Sequence, residues 1–342
     1  GLMAGYSVTA AITLVMGHPK LGHYFNDGLE SSGDIHALDI GFKTLSEPYK
    51  YIQQIDNDDA LNHCPEYSEN IHKYHRGKLI CIAGSEGYTG AGILSVQAAY
   101  KSGAGIIKII IPDSLNTIFE SNLTEAITIP LKEKDPGSLS NINTNDILNE
   151  VKWADVVLFG PGLISESSDW MAQVLREIKT PLVLDASGFQ PLIENKLKIS
   201  ELPIETILTP HYAEFSKIFS IDIKKVQEDT ISIVKEITSL LDKRILVLKG
   251  PTNVIVTSEG NIFLINNGTS ALATAGTGDV LSGILAALIS QGSSLDDAAL
   301  FGPYLHGECA QQYNNLFSTE GITASLLQDM IPYALESLKH VS

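Results

Sequence analysis

The chain has 342 residues, 44% of them apolar and 18% charged, which supplies buried-type surface for a large core and excludes a disordered polypeptide. Its 23 basic and 40 acidic side chains leave a formal charge of −17, which excludes a broad electrostatic footprint for nucleic acid or anionic lipid, so an anionic ligand has to be held locally. The strongly apolar stretch 280–289 is about half of the ~20 residues a membrane helix needs. The 3 cysteines, Cys64, Cys81 and Cys309, are widely spaced and make no disulfide framework, which points to a reducing, cytoplasmic setting. The opening Gly1-Leu2-Met3-Ala4-Gly5 carries no basic leader and does not read as a natural start, so the chain is expected to begin inside a larger protein.

In chain order, residues 1–42 alternate short apolar runs with turn residues: 10–16 predicts a strand, Gly17-His18-Pro19-Lys20 a turn and 35–40 a second strand. That is too little to fold alone. Residues 46–74 turn polar and predict a linker or surface crossover. From Gly77 the pattern becomes short β-rich runs at 78–83, 105–111, 156–159, 182–185, 206–208, 245–248 and 252–256. Helical periodicity separates or follows them at 90–102, 169–178, 213–218, 229–241, 277–290, 295–313 and 324–338. Continuous apolar strands between amphipathic helices imply an α/β fold, a mostly parallel central sheet with helices on both faces.

The most informative run is 266–283, in which Ala275-Gly276-Thr277-Gly278-Asp279 leads into the first turn of the helix at 277–290. Small residues let the backbone turn tightly, so the first amides of that helix converge where its dipole also favours negative charge. This predicts an anion hole. Asp279 is either a capping carboxylate or, beside a phosphate, a base for an attacking hydroxyl. Leu248-Lys249-Gly250-Pro251-Thr252-Asn253 is a strand end followed by a lysine and small polar residues, and ligands of open parallel sheets lie beyond such ends. Gly84-Ser85-Glu86-Gly87-Tyr88-Thr89-Gly90-Ala91 follows the first strand of the main domain and opens a helix, without matching the dinucleotide or P-loop fingerprints. Phe159-Gly160-Pro161-Gly162, Leu184-Asp185-Ala186 and Thr209-Pro210-His211 end further strands and so share the same sheet edge.

Other features read as structure. Gly103 is a helix C-cap; Tyr304, His306 and Tyr313 are core or helix-surface residues; His72 and His75 lack a third metal ligand. His211 alone suits a helix cap as well as a ligand, and Glu125 suits a surface as well as a site.

Taken in order, His72-Lys73, Gly84-Ser85-x-x-Tyr88-x-Gly90-Ala91, Gly160-Pro161-Gly162-Leu163, Asp185-Ala186, Thr209-Pro210-His211, Lys249-Gly250 and 275–283 resemble the NAD(P)H-hydrate dehydratases, which are ribokinase-like proteins. The resemblance runs over about residues 50–340. Residues 8–20 and 39–41 are similar to the end of the NAD(P)H-hydrate epimerase domain of bifunctional repair enzymes, whose early binding loop is missing here. The implied domains are a C-terminal epimerase remnant at 1–45 and a dehydratase domain at 46–342. Two positions depart from the pattern: Ser187 stands for the usual second aspartate after Asp185-Ala186, and Tyr212-Ala213 for the usual Pro-Gly before Glu214.

The resemblance implies that ADP or ATP phosphorylates the ring hydroxyl of the S form of hydrated NADH or NADPH, after which phosphate is eliminated. By the same resemblance, Asp279 is the base, with the amides of Gly276, Thr277 and Gly278 on the phosphoryl group. Lys249, Gly250, Pro251, Thr252, Asn253, Asn267, Gly268, Thr277 and Gly278 bind the adenine nucleotide. Ala91, Gly160, Gly162, His211 and Asp279 face the hydrated cofactor. Magnesium is implied as a phosphate counter-ion held by phosphates and water rather than by a protein site, and the assembly as a homo-oligomer, a tetramer or larger. The rival readings are a vitamin-precursor kinase of the same fold, which stops at phosphorylation, and an adenine-nucleotide-binding module without catalysis.

Overall fold

Runs such as Leu79-Ile80-Cys81-Ile82 have no polar face, and a strand of that kind is stable only where both faces are covered. The computed structural model, which describes residues 2, 5–41, 52–65 and 76–340, buries them in that way. Strands β1 (Ile12–Met16) and β2 (Asp34–Leu38) pair in parallel as a separate ribbon. The main sheet contains β3 (Ile52–Gln54), β4 (Lys78–Ile82), β5 (Ile106–Pro112), β6 (Ile127–Leu131), β7 (Val156–Phe159), β8 (Leu182–Leu184), β9 (Thr206–Leu208), β10 (Ile245–Leu248), β11 (Asn253–Val256) and β12 (Ile262–Ile265). Its order is β3-β12-β11-β10-β9-β8-β7-β4-β5-β6, parallel except that β11 runs against both β10 and β12.

The first helices are α1 (Asp27–Ser31), α2 (Asn57–Asn62), α3 (Thr89–Lys101), α4 (Asn116–Asn122), α5 (Thr144–Glu150), α6 (Asp169–Glu177) and α7 (Gln190–Ile193). They are followed by α8 (Tyr212–Ile218), α9 (Ile223–Glu228), α10 (Thr230–Leu241), α11 (Thr277–Ser290), α12 (Leu295–Leu316), α13 (Ala324–Asp329) and α14 (Ile331–His340). Alternation along each strand sorts the core into two layers. Leu79 and Cys81 pack with α3, α11 and α12, while Ile80 and Ile82 pack with α5, α6 and α10 on the other face. Helix starts are written in the sequence: Asp229 caps α10 by accepting from the Ser232 amide, Ser294 caps α12 from Asp297, and Thr323 caps α13 from Leu326. Gly103, at φ +99°, closes α3 with its amide on the Tyr100 carbonyl, as a C-cap should.

The structure corrects several expectations. Residues 52–65, read as part of a linker, supply the edge strand β3, which pairs with β12, and the helix α2. The predicted helix 324–338 is two helices, because Pro332, with no N–H, cannot continue α13 but fits the first turn of α14. Strands β3, β6 and β12 had no predicted counterpart; β3 has only 3 residues, and β6 contains Pro130, tolerated because the strand lies at the sheet edge. The predicted strand at 252–256 is present as β11 but runs antiparallel. The His72-Lys73 pair and His75 lie outside the described residues, as does the expected domain boundary at 45/46.

Chain direction sets the position of the site. After β4 the chain moves to β5 and β6 on one side, then returns to β7 on the other, so β4 and β7 flank a topological switch point. Ligands of open α/β sheets bind outside the carboxyl ends of strands at such a point.

Candidate active site

The floor of the site is the start of α11. Gly276, its N-cap, holds φ +89°, and a Cβ there would stand 2.8 Å from Leu94 Cδ1, so glycine alone suits the turn. Beyond it the amides of Gly278 and Asp279 point out of the helix end with no partner among the described residues, as does that of Gly276. The Thr277 amide, expected to face the phosphoryl group, instead donates to the Thr274 carbonyl at 3.3 Å. Its hydroxyl lies 2.8 Å from the Leu272 carbonyl and 2.9 Å from that of Thr274. Thr277 therefore holds the loop to the helix, and its carbonyl in turn lies 2.9 Å from His306 Nε2 of α12. A carbonyl only accepts, so that ring nitrogen carries the proton.

Asp185, at the end of β8, is 1% exposed and is the electrostatic centre of the site. Its carboxylate accepts from Lys249 Nζ at 2.7 Å, Thr209 Oγ1 at 2.7 Å and Ser282 Oγ at 2.5 Å. Three strand ends and α11 thus meet on one buried acid. Lys249 also lies directly beside the helix start: a Cβ on Gly278 would come within 3.3 Å of its ammonium.

These neighbours set the charges. Burial raises the Asp279 carboxyl to about 7, with Asp185 adding to the effect, Lys249 opposing it and Glu214 adding further. For Lys249 burial would lower the ammonium, but Asp185, Glu214 and Asp279 outweigh it and leave the group above its ordinary value. Burial brings His306 down to about 4, so it stays neutral.

Loops after β4 and β7 form one wall. The Gly84 amide donates to the Pro161 carbonyl at 2.9 Å, and Ser85 Oγ accepts from the Ile164 amide at 2.8 Å. Gly162 then lies against the Tyr88 carbonyl and the Cβ of Ala91, so Ala91 and Gly162 are brought together. Gly160 packs down on the Asp185 carbonyl rather than into the opening. His211 is the N-cap of α8: its Nδ1 accepts from the Ala213 and Glu214 amides at 3.1 and 3.2 Å, which leaves the proton on Nε2 at the exposed end of the ring. It is therefore a cap whose Nε2–H also lies 3.6 Å from the Glu214 carboxylate.

The expected nucleotide residues divide. Lys249 and Gly278 adjoin, whereas Asn253 Oδ1 closes the 250–253 turn by accepting from the Gly250 amide at 3.2 Å. Thr252 is buried, and its hydroxyl donates to the Tyr24 carbonyl at 2.5 Å, tying the turn to the N-terminal arm. Pro251 is exposed beside it. Asn267 Nδ2 donates to the Tyr304 carbonyl at 2.8 Å while its Oδ1 is buried without a partner, and Gly268 is exposed. Glu125 is an exposed surface residue, and Tyr304, His306 and Tyr313 are core.

The profile of the NAD(P)H-hydrate dehydratase family matches residues 79–333 of this chain. The chain belongs to that family. The bifunctional NAD(P)H-hydrate repair enzyme of Moorella thermoacetica is 29% identical over 343 aligned residues, taking in 99% of this chain and 64% of that protein. That of Gloeobacter violaceus is 30% identical over 333, taking in 95% and 64%. The chain thus spans under two thirds of the length of these relatives. Among solved structures, a ribokinase-like superfamily protein from Enterococcus faecalis superposes with TM-score 0.73 at 21% identity, over 86% of this chain and 99% of that one. The ADP/ATP-dependent NAD(P)H-hydrate dehydratase of Bacillus subtilis, co-crystallized with ATP and Mg2+, does so at 0.70 and 24%, over 84% and 99%. The fold of this dehydratase-family chain is ribokinase-like. No helix among the described residues is long and apolar enough to cross a membrane.

What the sequence motifs missed is the role of Asp185. It stood in a recognised strand-end motif, but its partners are 24, 64 and 97 residues away, and no local spacing joins them.

Proposed function

We propose that the site catalyses nucleotide-dependent dehydration of the S form of hydrated NADH or NADPH, with ADP or ATP as phosphoryl donor. The observation that carries this reading is the pairing of Asp279, raised to about 7, with the unpartnered amides of Gly278 and Asp279 and the Lys249 ammonium at one helix end. A base poised near neutrality removes the proton of the ring hydroxyl as its oxygen attacks the terminal phosphorus. The amides and the ammonium take up charge on the migrating phosphoryl group, and the shortened nucleotide leaves. Hydroxide is a poor leaving group and phosphate a good one. The ring nitrogen's lone pair then expels phosphate, and loss of a proton from the adjacent ring carbon restores the reduced nicotinamide. Ala91, Gly162 and the His211 Nε2–H wall the side where the hydrated ring would lie.

Magnesium fits this site only as an ion carried by the nucleotide. The Asp185 carboxylate is already taken by three donors, and among the described residues no group of three or more His, Cys, Asp or Glu could hold a metal ion. Its contribution there would be neutralisation of phosphate charge.

Residues 1–45 would be the end of an epimerase domain and 46–342 the dehydratase. A two-stranded parallel ribbon with exposed Ile12, Leu14 and Met16 supports this, since such a ribbon is not self-sufficient. A cytoplasmic location and a homo-oligomer of four or more chains belong to the same proposal. Incubation with hydrated NADH plus ADP, then ATP, tests the reaction: return of the reduced-ring absorbance supports it. Phosphorylation of a vitamin precursor in its place, or nucleotide binding with no turnover at all, overturns it.

A further inference from the structure

The dehydratase reading uses Asp279, the helix-end amides and Lys249, and leaves unused the most buried acid of the site. Asp185 touches neither the unpartnered amides nor the open side of the pocket. It binds one group from each of three directions: the ammonium of Lys249 after β10, the hydroxyl of Thr209 after β9, and the hydroxyl of Ser282 one turn into α11. Ser282 Oγ is also 3.0 Å from the Gly278 carbonyl, so its single proton is shared between that carbonyl and Asp185, and the hydroxyl ties the acid to the first turn of the helix whose amides form the anion hole. A lysine ammonium on a flexible stem would otherwise sample many positions, and a point charge misplaced by an ångström loses much of its value to a transferring group.

We propose, resting on the dehydratase reading, that Asp185 is a positioning residue: it fixes the Lys249 ammonium and the α11 amides in one frame, so that both meet the same phosphoryl group. Ser282 and Thr209 complete that frame by saturating the carboxylate. Gly278 lies against the same frame: a Cβ there would stand 3.3 Å from the ammonium, which would have to give by a few tenths of an ångström.

The test is a double-substitution cycle with Asp185→Asn and Lys249→Gln, read in kcat/KM with hydrated NADH and in ADP affinity. Asp185→Asn alone is expected to lower kcat/KM by ~10²-fold and to weaken ADP binding by ~10-fold. In the Lys249→Gln background it should add less than ~3-fold, because its object is already gone. A second readout is the acid limb of the pH profile. Asp279 is faced by Asp185 from β8, Lys249 from β10, Glu214 from α8 and the buried thiol of Cys81 in β4. Removing the Asp185 charge lowers the Asp279 carboxyl, so that limb moves to lower pH. Multiplicative losses with an unmoved limb would overturn the proposal. Should Asp185→Asn fail to fold, Ser282→Ala and Thr209→Val enter the same cycle with Lys249→Gln, judged by the coupling alone because the Asp185 charge is still present: less-than-multiplicative losses support the proposal and multiplicative losses overturn it. Absence of wild-type turnover with hydrated NADH would sink the dehydratase reading instead, while the cycle in ADP affinity still decides the role of Asp185.

Discussion

Strand β1, Ile-Thr-Leu-Val-Met, and strand β4, Lys-Leu-Ile-Cys-Ile, are close in length and apolar content, yet only one is core. In β4 every residue after Lys78 is buried, while in β1 Ile12, Leu14 and Met16 are exposed and Val15 alone is buried. The difference is in the partners. β4 is held between β5 and β7 with helices on both faces; β1 has β2 as its one sheet neighbour among the described residues. Composition selects a strand, but topology decides whether burial rewards it.

The sharpest way to break that contrast is to move the chemistry out of the β4 sheet. Asp279→Asn should keep the fold and lower turnover by ~10³-fold, measured with hydrated NADH and either nucleotide. The same variant should be more stable above neutrality. Because folding raises the Asp279 carboxyl to about 7, proton binding stabilises the native state in full below pH 4, and this is lost as pH rises through 7. The asparagine therefore gains about 2–4 kcal/mol near pH 8 and almost nothing near pH 4, as denaturant unfolding would show.

Burial itself is tested next. Ile80→Ala, in the interior of β4, should cost about 2–5 kcal/mol. His306, on α12 in the layer over the opposite face of the sheet, probes burial with a titratable group. Held down at about 4, it stays neutral in the native state while the unfolded chain takes up a proton below its ordinary value. Its contribution is thus lost as pH falls, at about 1.4 kcal/mol per pH unit between pH 6 and 5, and His306→Gln should flatten that slope. The smallest effect is expected in the ribbon, where Leu14→Ala should change stability by under about 0.5 kcal/mol. A loss there as large as that at Ile80 would mean the ribbon is buried in solution.

Legibility followed the same division. Strands β7, β9 and β10 and helix α11 fall where periodicity and glycine punctuation place them, because burial on both faces leaves an unbroken apolar run and the glycines of 276–278 mark a helix start. The edge strands β3 and β6 were not legible, since an edge needs neither length nor continuous apolarity. At the site, motifs located the loops that converge but not the use of each atom. Nothing in Gly276-Thr277-Gly278 shows that the middle amide is spent on Thr274, nor does Asp185-Ala186 show a carboxylate shared by three partners. Those facts depend on long-range packing.

Since Gly84, Gly160, Asp185, Thr209 and Lys249 all hang from the carboxyl ends of parallel strands, the opposite rim of the sheet carries none of this machinery. The hollow there, bounded by Asn149, Lys152, Glu177 and Thr180, looks away from the reacting atoms. A tag, a graft or a tether sewn into that rim should leave the catalyst as quick as before, and any harm it did would register in melting temperature alone.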